Sequence, residues 1–140
     1  QESAGNLFAI RYEPHLARAK WYTRHLTDEE RRDEFYFCSY GPMQILFAVA
    51  RNHGFRGTPT QLFKPKNSIA YGVLHLKHLL RRFKNIPDTV SSYNQGSPAK
   101  IKQGRNKGLY KNQKYVDNVL RFYKQFQATL SQKEENNAVD

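Results

Sequence analysis

The chain has 140 residues, with 39% hydrophobic and 14% aromatic side chains, a globular composition that excludes a disordered chain. That length supports one domain with a real core, and no apolar run approaches the length of a bilayer span. The net charge of +11 points to a polyanionic partner (nucleic acid, an anionic membrane or the bacterial envelope), and the lone Cys38 excludes a disulfide-stapled scaffold.

In chain order, Gln1-Glu2-Ser3-Ala4-Gly5-Asn6 reads as the end of a helix, since Gly5 and Asn6 both stop helices. Pro14 suits a first helical turn, and Leu16, Ala19, Tyr22 and Leu26 recur near helical spacing over His15 to His25. Thr27 and Glu30 stand three apart as a capping box, which predicts a further helix through Phe35 to Phe37. Cys38 is expected as a small buried residue.

Pro42 is placed to open the next helix, with Met43, Leu46, Phe47 and Ala50 on one face and Gly54 as its stop. Gly57-Thr58-Pro59 predicts a turn, and Thr60 to Phe63 one short helical turn. The clearest helix runs from Asn67 to Lys84, where Ile69, Val73, Leu76, Leu80 and Phe83 form an amphipathic stripe expected to pack in the core. Pro87 opens a short helix ending at Asn94 and Gly96. After a basic loop with Lys100, Lys102, Arg105, Lys107, Lys111 and Lys114, a last helix spans Tyr115 to Leu130. Its inward face is expected to be Val116, Val119, Leu120, Tyr123, Phe126 and Leu130, and residues 131–140 form a polar tail that frays. The expectation is a mainly α single domain with no more than a short hairpin of β structure.

Several positions carry candidate chemistry. A glutamate such as Glu2, buried against aromatics at a helix end, is held protonated and can give its proton to a glycosidic oxygen; alone it is an ordinary helix-end carboxylate. Gly41 allows close approach to its backbone, Gln44 offers the donors and acceptor that a sugar amide or hydroxyl needs, and Met43 supplies an adjustable apolar wall. Alone, they are an ordinary loop-to-helix junction. Tyr93 and Asn94 place a phenol and an amide at a helix end, and Tyr115 offers a polar tip on a packed body. The basic loop is either a solvated turn or a basic wall for a polyanionic or peptide-bearing polymer. His75 and His78 lie three apart with no further ligands in view, so no metal site is expected.

Together these motifs resemble the lytic transglycosylase and goose-type lysozyme family. Glu2-Ser3 matches the family's catalytic Glu-Ser, and Gly41-Pro42-Met43-Gln44-Ile45 resembles its Gly-Leu-Met-Gln-Ile, with Ser39 near the serine that precedes that turn. Leu62 to Ser68 resembles Leu-x-Asp-Pro-x-x-Asn-Ile, with Lys64 in place of the aspartate, and Tyr71-Gly72 follows it. Ser92 to Gly96 resembles Ala-Tyr-Asn-Ala-Gly, and Tyr115 to Leu120 resembles Tyr-Val-x-x-Val-Leu. The resemblance covers residues 1–130 and implies a lysozyme-like fold, with residues 13–37 as an inserted helical pair similar to variants in bacteriophages. The helix expected ahead of Glu2 is missing from these residues, which points to a piece of a longer polypeptide.

The implied activity is lytic cleavage of peptidoglycan without a cofactor, with Glu2 and Tyr93 catalytic and Ser39, Gly41, Met43, Gln44, Asn94 and Tyr115 binding substrate. The implied setting is a phage virion protein acting on the host periplasm and wall, or a bacterial periplasmic enzyme. A hydrolytic lysozyme, which needs a second carboxylate such as Asp28, Asp33 or Glu34, stays open. So do a non-catalytic binding module and a basic nucleic-acid binder, although the chain lacks zinc-ligand spacing and an RNA-binding aromatic motif.

Overall fold

The computed structural model describes residues 2–137. It is mainly helical, with a small antiparallel sheet, as the lysozyme-like expectation requires. The chain divides into two compact units, residues 1–78 and 79–140.

The first unit opens with a turn at Ser3 to Asn6, in which Asn6 N–H donates to the Ser3 carbonyl at 3.0 Å. Strand β1, Ile10–Tyr12, pairs with β2, Cys38–Tyr40, which pairs in turn with β3, Ile45–Leu46. The register sets Ile10 opposite Tyr40 and Tyr40 opposite Ile45. The expected helix from Pro42 is therefore a four-residue hairpin turn, and the helix proper, α2, begins at Phe47 and runs to Asn52. The left-handed φ of +68° at Gly41 and +46° at Gln44 is what a tight turn demands, and an α-helix cannot accommodate it.

Residues 13–37, expected as a helical pair, form short turns: 3-10 segments at Pro14–Arg18, Glu30–Arg32 and Glu34–Phe37, and one four-residue helix, α1, Lys20–Thr23. The capping box is present, with Thr27 N–H donating to Glu30 at 2.8 Å and Glu30 N–H to the Thr27 hydroxyl at 3.2 Å. It starts a single turn because aromatic packing overrides helix propagation here. Tyr22, Phe37, Tyr40 and Phe47 are buried together, and the Tyr22 hydroxyl donates to the Tyr36 carbonyl at 2.6 Å while accepting from Ala48 N–H at 3.3 Å. Cys38 is buried beside them, as expected.

Helix α3, Pro65–Phe83, departs from its predicted orientation. Ile69, Val73 and Leu80 are exposed and Leu76 and Phe83 half-buried, whereas Ser68, Gly72 and Leu79 are buried. The face turned to the protein is the one with small residues. A Cβ added at Gly72 would lie 2.8 Å from the Met43 Cβ, so this face is chosen by how closely the Met43 turn can approach.

In the second unit, helix α4, Ile86–Gln95, starts on an Asn85 cap that accepts from Asp88 N–H at 2.8 Å and ends on Gly96 at φ +80°. Helix α5, Gln113–Asn137, packs against α4. It extends past Leu130 into residues expected to fray; residues 138–140 of that tail lie outside the described residues. Of its predicted inward face only Val116 is fully buried, while Tyr123, Phe126 and Leu130 are exposed. Ten residues of α4 cover the first turns of a 25-residue helix and no more.

Candidate functional site

Pairing of β1 with β2 carries the Glu2 segment to the Gly41–Gln44 turn. Ala9, just before β1, accepts from Gly41 N–H at 2.8 Å and from the Gln44 side-chain amide at 2.9 Å. The Asn6 side chain holds the intervening loop by accepting from Phe8 N–H at 2.9 Å. Glu2 itself is half-exposed. Two motifs almost forty residues apart in sequence thus share one hydrogen-bonded frame.

The turn is fixed from within. Gln44 accepts from the Ser39 hydroxyl at 2.9 Å and gives its amide hydrogens to Ala9 and to the Gly41 carbonyl at 3.0 Å. Both amide hydrogens are committed to protein carbonyls. Ser39 is 1% exposed. Gly41 is also explained by the protein. A Cβ there would come 2.5 Å from the Leu62 carbonyl and 3.0 Å from the Ser68 hydroxyl, so the close approach of those groups requires glycine. Met43 is half-buried, its N–H donates to the Ser68 hydroxyl at 3.1 Å, and its side chain lies against Gly72.

Ser68 entered the sequence reading only as the end of the Leu62 to Ser68 motif, with no part of its own. It is fully buried, and it joins the start of α3 to the turn by receiving the Met43 N–H and donating to the Tyr40 carbonyl at 3.4 Å. The available signal was a serine on the polar side of a strongly apolar helix pattern, next to Asn67, whose side chain donates to the Gln61 carbonyl at 2.9 Å.

The carboxylates considered for activating water are engaged locally. Asp28 pairs with Arg31 at 3.0 Å, Asp33 accepts from Phe35 N–H at 2.9 Å, and Glu34 accepts from the Tyr12 hydroxyl at 3.4 Å. Glu30 meets the Arg51 guanidinium at 2.6 and 2.7 Å, and those hydrogen bonds hold its carboxyl below the usual range. A surface depression lined by Thr27, Glu29, Glu30, Asp33 and Tyr36 includes one of these carboxylates, Asp33.

In the second unit Tyr93 and Asn94 occupy the last turn of α4, and Tyr115 the first turn of α5. Asn112 knits these turns together, donating to Asn94 at 2.9 Å and to the Ser91 carbonyl at 3.1 Å and accepting from the Ser91 hydroxyl at 2.9 Å. Tyr93 and Tyr115 are half-buried.

The model of the transglycosylase SLT domain matches residues 1–116. The chain belongs to that family. Neither a curated protein nor a solved structure matches it. Family membership makes this a lytic-transglycosylase-type domain that acts on peptidoglycan, a polysaccharide substrate. Within the described residues, no helix is long and apolar enough to cross a membrane.

No group of three metal-ligating side chains among the described residues is placed to hold an ion. His75 nevertheless has a neighbour that the spacing did not reveal: the His53 Nε2 lies 3.2 Å from its Nδ1. Burial, then the His53 and His78 charges, push the His75 imidazole down to about 4.

Proposed function

We propose that this domain cleaves the β-1,4 bond between N-acetylmuramic acid and N-acetylglucosamine and leaves 1,6-anhydromuramoyl ends. The observation that carries this reading is the frame joining the Glu2 segment to the Gly41–Gln44 turn, in a chain of the SLT family.

Glu2 acts first as acid, giving its proton to the glycosidic oxygen as the bond to the anomeric carbon of the muramoyl sugar breaks. The N-acetyl carbonyl of that sugar assists at the anomeric carbon. The Glu2 carboxylate then takes the proton of the sugar's own 6-hydroxyl, whose oxygen closes the anhydro ring. No water is consumed, so no second carboxylate is required, which agrees with the local engagement of Asp28, Asp33 and Glu34. Tyr93 is assigned to orienting the acid, and Met43, Asn94 and Tyr115 to holding the sugar, by their places in the family motifs. Ser39, Gly41 and Gln44 act by keeping the turn in shape.

Digestion of purified peptidoglycan, with the products weighed by mass spectrometry, tests this. Anhydromuramoyl ends from the parent and none from Glu2→Gln are expected. Reducing ends would mark a hydrolytic lysozyme instead. The motif resemblance to phage variants further supports a place in a larger virion protein that opens the wall during genome entry. Detection of the polypeptide in purified phage particles, and not in envelopes of uninfected cells, is the check.

A further inference from the structure

Residues 97–114 contain six lysines and arginines and no acidic residue. All six, Lys100, Lys102, Arg105, Lys107, Lys111 and Lys114, are exposed, and none enters an ion pair among the described residues. Like charges gathered in this way repel one another, and a free loop would spread them apart.

Here the backbone holds them together. The segment is a tied hairpin. Lys100 bridges Tyr110 in antiparallel register, Ile101 N–H donates to the Leu109 carbonyl at 2.8 Å, and Lys111 N–H to the Ala99 carbonyl at 2.9 Å. Gly104 at φ +80° and Gly108 at φ +90° supply the left-handed positions that turn its tip. Its base is anchored to α4, since the Tyr110 hydroxyl donates to Asp88 at 2.5 Å and Asn112 binds Ser91 and Asn94. The Lys100 ammonium lies 4.9 Å from the centre of the Tyr110 ring. Ordering these cations costs entropy and gains repulsion, which the Asp88 carboxylate offsets in part at Lys100.

The chemistry of the patch narrows its partner. Five of the six cations are lysines, point charges that attract anions without demanding a bidentate geometry. The hairpin offers no open aromatic face on which a nucleic-acid base can stack, because its one aromatic ring, Tyr110, is covered by Lys100 and tied to Asp88. In peptidoglycan the N-acetylated glycan is uncharged and the lactyl carboxyl of muramic acid is consumed in an amide. The negative charge is therefore on the free carboxylates of the peptide stems.

We propose that the hairpin Lys100–Lys114 is a docking surface for the carboxylate-bearing peptide stems of peptidoglycan, which retains the domain on the wall. This deepens the peptidoglycan reading by naming the part of the polymer that the second unit grips.

The test uses the whole chain carrying Glu2→Gln, so that the polymer stays intact. Its binding to purified sacculi is compared with that of the same chain further changed at the hairpin tip (Lys102→Gln, Arg105→Gln and Lys107→Gln), at matched salt. The tip substitutions are expected to weaken binding about tenfold, the effect of losing three exposed ion pairs, with the thermal midpoint unchanged. On sacculi stripped of stems by an amidase, the two proteins should bind alike. Equal binding to intact sacculi, or a difference that survives amidase treatment, overturns the proposal. So does tighter binding of the parent to duplex DNA, lost on the same substitutions, which would make the hairpin a nucleic-acid surface. With Glu2 restored, the tip variant should still release anhydromuramoyl ends from peptide-free glycan at the parent rate. Absence of such ends from both proteins would count against the cleavage reading and leave the binding comparison standing.

Discussion

The two units treat charge in opposite ways. In residues 1–78 eleven basic residues stand against seven acidic ones, and Arg11, Arg31 and Arg51 each meet a carboxylate, at 2.5, 3.0 and 2.6 Å. In residues 79–140 twelve stand against five, and the densest basic run, residues 100–114, contains no acidic residue. The first unit uses charge to close its own structure, as when Arg51 joins Glu30 while covering the Phe47 ring at 4.5 Å. The second holds charge out to solvent on a backbone built to keep it there. Pairing of that kind serves stability, and unpaired charge in an ordered frame serves recognition.

Several experiments break or sharpen this contrast. The largest effect is expected from Glu2→Gln, which should cost about 10²- to 10⁴-fold in release of anhydromuramoyl ends, read by mass spectrometry, and leave hairpin binding intact. Next are two glycines with positive φ. Gly41→Ala should destabilise by about 3 kcal/mol or more in urea unfolding, since strain adds to a 2.5 Å approach to Leu62. Gly96→Ala, with nothing within 4 Å, should lose about 1 kcal/mol from strain alone.

A third test is pH. Burial depresses the His75 imidazole to about 4, below its unfolded value, so the folded state favours the neutral form. The associated stability is complete above about pH 6.5 and is lost progressively as pH falls towards 4. His75→Gln should flatten the thermal midpoint across that window. A parent midpoint that does not move there would contradict the arrangement of His53 and His75. Arg51→Met probes the same unit through charge: it leaves Glu30 without its partner and should cost about 2 kcal/mol, read as a lowered urea midpoint at neutral pH. The smallest effect is expected from Phe126→Ser, within about 0.5 kcal/mol in urea unfolding, since that ring is 61% exposed.

How far the sequence carried the reading differs by element. Pro87 and Gly96 announced α4 through helix-start and chain-stopping chemistry that operates within a few residues, and that helix is where it was expected. The ordered motifs led to the family, and the match over residues 1–116 supports it. The stripe on α3 misled, because periodicity reports that a helix has two faces and not which one a neighbour can approach. Ser68 and Gly72 decide that by being small. The partners of Gln44 were not legible for a related reason: its amide binds the Ala9 and Gly41 carbonyls, which only strand pairing brings to it.

The sequence by itself determined the family, the mainly helical class, the helix caps and the excess of positive charge, all of which rest on residue identity and short-range spacing. Tertiary structure alone decided that Pro42 lies in a hairpin turn, that the segment following Glu2 is tied to Gln44 through Ala9, and that the basic run is a tied hairpin. Those depend on strand pairing and on how closely backbones approach one another, and neither is encoded in the local order of residues.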